Sequence, residues 1–202
     1  MNPSRPYNIG ARLATGDLLL LTSPETMHTS SLYDICDISR FQENDYWCLS
    51  VFCPTDITIN NIMASSLSIT DKLSQINKYR SMILEAPGGY GRASFANTVG
   101  SWYLHSQYRD TRRNFCTLIH KSMYSKIRGF DERFVGSGYD DDEFLQRLED
   151  KVRITYFDEF LALHANHPPV YGSGDPISNR GIFDAIQNGS LPRWSNEDWG
   201  LI

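Results

Sequence analysis

The spacing of apolar positions along the chain changes several times, and each change marks an element. "NIGARLATG" (8–16) has helical spacing and ends in Gly16, which predicts a helix closed by a glycine cap. "DLLLLT" follows at once. Four unbroken leucines bounded by turn residues predict a strand buried on both faces, as in a parallel sheet. "YWCLSVFC" predicts a second strand. "ITDKLSQINKYRSMIL" sets Ile69, Leu73, Ile76 and Ile83 at helical spacing, with Thr70 or Asp71 as cap. "FCTLIH" reads as a short strand, "DEFLQRLED" as a helix and "RITYF" as another strand. "EFLALHANHPP" runs extended into a proline-stopped loop. "SNRGIFDAIQNG" predicts a last helix, with a tail at about 190–202. Strands alternating with helices predict one α/β domain over residues 1–202.

Composition narrows the function classes. The net charge is −5 and no Lys/Arg-rich run occurs, which argues against nucleic acid and anionic membrane as partners. No apolar run has the length of a membrane span, and "MNPSRPYNIG" lacks a signal-peptide core, so the expected compartment is cytoplasmic. Cys36, Cys48, Cys53 and Cys116 form no C-x-x-C pair and are expected as reduced, buried thiols. Residues 85–101 are glycine-rich and predict a mobile loop. That loop lacks G-K-[ST] and is given no nucleotide role.

Three places carry candidate chemistry. In "VGSGYDDDEF" four carboxylates follow a glycine-spaced turn. Asp140 and Glu143 have capping-box spacing, and the helix dipole favours anions in a first turn, with Phe144, Leu145 and Leu148 as the buried face. A cap uses one or two carboxylates and this stretch has four, so capping and catalysis stand level here. In "LLLLTSPETMH" Glu25 and His28 fall where a strand ends, the usual place for ligands in open α/β sheets. An ordinary strand-to-helix turn capped by Ser23 explains the same residues. In "ALHANHPP" His164 and His167 end an extended run. Carboxylates plus one imidazole suit Mn²⁺ or Mg²⁺ better than zinc.

"NIGARLATGDLLLLTSPET", "GFDERFVGSGYDDDEFLQRLE" and the histidine after the next strand together resemble the family 2 glycosyltransferases of the GT-A fold. The acidic block is also similar to the C-terminal segment of the β-1,4-galactosyltransferase group. The resemblance covers most of residues 7–168. It implies a GT-A-like sheet with flanking helices and a hexosyl-type, metal-assisted, inverting transfer from a nucleotide-diphosphate sugar to a glycan or other hydroxyl acceptor. Glu25 matches the metal-binding position of the family's Asp-x-Asp triplet, and Ser23 stands where its first aspartate would be. His164 matches the later metal-binding histidine, with His167 as fallback. Asp141 takes the catalytic-base position, with Asp140 before it. Gly138, Tyr139 and Asp142 fall with the substrate, and Trp102 resembles an aromatic residue that stacks on sugar; a core aromatic explains Trp102 as well.

The family's base-binding N-terminal half has no counterpart before "YNIGARLATGD". The expectation is therefore a partial domain: a fragment, one piece of a split enzyme whose nucleotide-binding half is a separate chain, or a non-catalytic carbohydrate- or partner-binding remnant. The "DLLLL" strand is then expected to have an uncovered edge.

Overall fold

The structure is a computed structural model that describes residues 4–29, 31–53, 58–85, 102–104, 116–136, 138–165 and 176–201. Its strands are β1 (Leu18–Thr22), β2 (Thr26–His28), β3 (Asp45–Cys53), β4 (Trp102–Leu104), β5 (Cys116–His120) and β6 (Arg153–His164). Its helices are α1 (Ser4–Leu13), α2 (Leu32–Ile35), α3 (Thr58–Ala64), α4 (Ile69–Glu85), α5 (Lys121–Lys126), α6 (Asp140–Leu148) and α7 (Pro176–Gln187). The strands form one mixed sheet in the order β1-β5-β3-β6-β2, with β4 paired to β3. β1 and β3 are each antiparallel to β5, and β3 is parallel to β6, so β1, β3 and β6 all run the same way. Their carboxyl ends therefore lie at one end of the sheet, where ligands of α/β proteins gather.

The leucine run behaves otherwise than its sequence predicts. β1 is the end strand of the sheet order, antiparallel to its neighbour. Leu19 and Leu21 are buried, whereas Leu20 is 37% exposed. An unbroken apolar run has no period, so it cannot tell a central strand from an end one. "RITYF" and "EFLALH" are one twelve-residue strand, β6, with an irregularity opposite Leu49/Ser50.

The two faces of β3 alternate as a strand's must. Tyr46 and Cys48 join a core with Leu19, Tyr124, Phe130 and Phe144, while Trp47, Leu49 and Val51 join Cys116 and Leu118 on the other side. Cys36, Cys48 and Cys116 are buried free thiols. The C-terminal segment contributes Trp199 to the first core, where its ring lies 5.7 Å from that of Tyr124.

Helix ends depart from the predicted caps. α1 stops at Leu13, and Gly16 does not have a positive φ. α4 is capped from Ser68, whose Oγ accepts from the Asp71 amide (3.2 Å) and donates to the Asp71 carboxylate (2.6 Å). Of its apolar stripe, Ile76 is buried, but Ile69 and Leu73 face solvent. The Ile83 side chain, residues 86–101 and His167 lie outside the described residues.

Candidate active site

The acidic stretch begins at a turn that the sequence alone misplaces. Tyr139 is the N-cap of α6, in the left-handed region (φ 66°), and makes no side-chain cap bond; Asp140 is already helical. The expected capping box between Asp140 and Glu143 does not form. Glu143 instead takes Arg147, one turn on, in a two-pronged pair of 2.6 Å each. Both are buried, and Arg147 also donates to the carbonyls of Ile127 and Gly129. A planar guanidinium with five donors suits this arrangement, and it fixes the rotation of α6 about its axis.

Two bonds from α7 reach the residues that precede α6. Asn179 of α7 accepts from the Val135 amide (3.1 Å) and donates to the Gly138 carbonyl (3.2 Å). Gly136 and Gly138 both have positive φ, a conformation that glycine adopts without strain. The Tyr139 ring lies 5.4 Å from Phe183 of α7, so its first role here is packing. Asp142 is exposed.

The "GFDERF" block is a brace. Phe130 stacks on Phe144 at 4.1 Å, and Asp131, fully buried, grips Arg133 through a fork of 2.5–3.0 Å. Asn8 of α1 ties the block to the first helix. Its Nδ2 donates to the Phe130 carbonyl (2.9 Å) and to Glu132 (2.8 Å). Its Oδ1 accepts from the Tyr124 hydroxyl and the Phe130 amide, both at 2.8 Å. Glu132 also takes the Gly200 amide at 2.7 Å. Gly129 packs so closely that a β-carbon there would lie 2.1 Å from Asn8 Oδ1.

Asp140 and Asp141 follow this braced block in the first turn of α6. Asp140 is pushed up to about 7, first by burial and then by the Asp141 carboxylate, against the pull of nearby backbone amides. Burial, followed by the carboxylates of Asp141, Glu25 and Asp140, raises the phenol of Tyr7 above its ordinary value. The Tyr7 ring itself packs against the first core, 5.2 Å from that of Phe130. Sequence reasoning passed it over, because an aromatic residue in the first turn of an amphipathic helix reads as core.

The residues after β1 do not enter a helix. Ser23–Thr26 is a tight turn in which the Thr26 amide donates to the Ser23 carbonyl (3.1 Å), and the Ser23 hydroxyl lies 2.8 Å from the Thr26 hydroxyl. β2 then pairs with β6, setting Thr26 opposite His164, and the Ala165 amide donates to the Glu25 carbonyl (2.9 Å). Glu25 and His164 thus flank one another at adjacent strand ends.

His164 is buried and its Nδ1 lies 2.9 Å from the Ala165 carbonyl; a neutral ring bonded this way keeps its lone pair on Nε2. Among the described residues no three His, Cys, Asp or Glu side chains are grouped to hold an ion by themselves. His28 lies 3.3 Å from the Thr22 hydroxyl and 3.9 Å from Cys116 Sγ, and burial lowers its pKa. Burial and the neighbouring Cys36 push the Cys116 thiol up to about 12, which makes it a poor nucleophile. Trp102 pairs with Cys53 at the same end of the sheet.

Comparison with known proteins bears on the fold. A family model described as the N-terminal domain of galactosyltransferase matches residues 95–163. No curated protein sequence matches the chain. Among solved structures, the catalytic domain of Drosophila β1,4-galactosyltransferase 7, in complex with xylobiose, aligns with a TM-score of 0.50 at 11% identity. The alignment covers 91% of this chain, which spans only 60% of that one. Family match and fold together mark a GT-A glycosyltransferase-like region in this chain.

Proposed function

We propose that the chain forms the metal and acceptor side of an inverting glycosyltransferase that moves a sugar from a nucleotide-diphosphate sugar to an acceptor hydroxyl. The observation that supports this reading best is the galactosyltransferase family match over residues 95–163, which takes in Asp140 and Asp141. In the step, the acceptor oxygen forms the bond to the anomeric carbon, the bond to the diphosphate breaks, and the acceptor proton passes to Asp141. Burial and the Asp141 carboxylate raise Asp140 to about 7, and Asp141 is assigned the base role by its place in the acidic block. The Asn179 bond to the Gly138 carbonyl and the buried Glu143–Arg147 pair help to orient the start of α6. Glu25 and His164 would hold a Mn²⁺ or Mg²⁺ ion, which when bound neutralises the leaving diphosphate. Trp102, on β4 at the same end of the sheet, is assigned to the acceptor sugar. The base of the donor is left to residues outside these clusters, a role that a separate chain with a nucleotide-binding half would serve.

The test is transfer from a panel of UDP- and GDP-sugars to acceptors that include xylobiose, the sugar bound to the structural neighbour. Asp141→Asn should lower the rate by about 10²–10⁴-fold while leaving the unfolding midpoint in place. A full-rate variant removes Asp141 as base. Sugar binding without turnover that survives Asp141→Asn and fails in Trp102→Ala would replace the enzyme with a carbohydrate-binding module.

A further inference from the structure

Basic residues gather at the far end of α6. Lys126 and Arg128 at the end of α5, Arg147 and Lys151 at the end of α6, and Arg193 and Trp194 from the C-terminal segment line a cleft of about 230 Å³. Five cations share one cleft in a chain of net charge −5. Two carboxylates answer them: Glu143 holds Arg147, and Glu197 holds Arg128. That leaves an excess of three positive charges. Lys151 spends its ammonium on the Arg147 carbonyl at 2.6 Å. Lys126 and Arg193 are exposed, and neither has a hydrogen-bond or ion-pair partner among the described residues.

The C-terminal ends of helices attract cations, which accounts for Lys126, Arg147 and Lys151. They give no reason for Arg193, which arrives from a separate segment and adds to the repulsion. An anion would reverse that penalty. Trp194 is fixed in the wall by its indole N–H, which donates to the Arg128 carbonyl at 2.8 Å. The cleft is larger than a bare tetrahedral anion, and one side of it is aromatic. We propose that it binds a phosphate or sulfate group carried as an ester on a saccharide, with Lys126 and Arg193 on the oxyanion and the Trp194 ring against the sugar. The site lies at the opposite end of α6 from Asp140 and stands independently of the transferase reading.

Titration of the full chain with glucose 6-phosphate, inorganic phosphate and glucose, followed by chemical-shift changes, tests this. Glucose 6-phosphate should saturate, inorganic phosphate should bind more weakly, and glucose should not bind. The Lys126→Glu, Arg193→Glu double variant should lose about tenfold or more in affinity with an unchanged unfolding midpoint. Wild-type affinity should also fall as sodium chloride rises. An affinity unchanged in the double variant or insensitive to salt would overturn the site. Equal affinity for inorganic phosphate and glucose 6-phosphate would overturn the saccharide ester.

Discussion

Asn8→Ala should be among the most destabilising single changes in this chain. The side chain is fully buried and uses both amide donors and two acceptor positions. Truncation leaves the Tyr124 hydroxyl and the Phe130 amide without the acceptor they share, and both lie in the buried core. Each orphaned buried group costs about 1–3 kcal/mol. The two acceptors lose less, since Glu132 keeps the Gly200 amide. The sum is about 2–6 kcal/mol, a large part of the roughly 5–15 kcal/mol that holds a domain together. For a chain of this size that is roughly 4–24 °C in Tm. Asn8→Asp keeps the shape but turns a donor into an oxygen facing Glu132, so it should be destabilising at neutral pH and partly recover in acid. Urea unfolding followed by circular dichroism measures both variants. An Asn8→Ala protein within about 0.5 kcal/mol of wild type would refute the hub, because ordinary surface changes fall in that range.

Three further outcomes follow from the same geometry. Arg147→Met leaves Glu143 as a buried unpaired charge and should cost about 3–5 kcal/mol in denaturant unfolding, whereas Glu143→Leu combined with Arg147→Met should cost less; equal losses would show that the pair is not coupled. Asp140 titrates near 7 folded and near about 3.9 unfolded, so the folded state binds more protons in between and stability falls as pH rises through that window. Asp140→Asn should raise Tm at about pH 8 and flatten the profile, and a lower Tm there would contradict the shift. Glu25→Ala and His164→Ala should each weaken Mn²⁺ binding measured by calorimetry; affinity equal to wild type would remove that residue from the site.

Much of this arrangement was legible before the fold. The end of the leucine run, the acidic block and the histidine closing β6 all pointed to one end of an α/β sheet, and the register of Thr26 with His164 brings two of them together. The cap was misread for a physical reason. Asp140 and Glu143 have the right spacing, but the Arg147 guanidinium, one helical turn on, takes the Glu143 carboxylate, and the Glu143 amide is already bonded to the Tyr139 carbonyl. That pair was visible in "EFLQR" as an i,i+4 contact. Tyr7 and the basic cleft were not visible, since one depends on where a helix face lands and the other is assembled from three segments far apart in sequence.

The Asn8 hub also bears on how the chain reaches this state. Its bonds to Phe130 and Glu132 span 122 and 124 residues, and β1 must wait for β5 about as long. Closing so long a loop costs entropy before any contact repays it, which makes the folding of this sheet slow. During synthesis, α1 and the leucine strand leave the ribosome long before either partner exists. An apolar strand with both edges unpaired is prone to aggregate in that interval, and a chaperone that covers it should raise the folded yield.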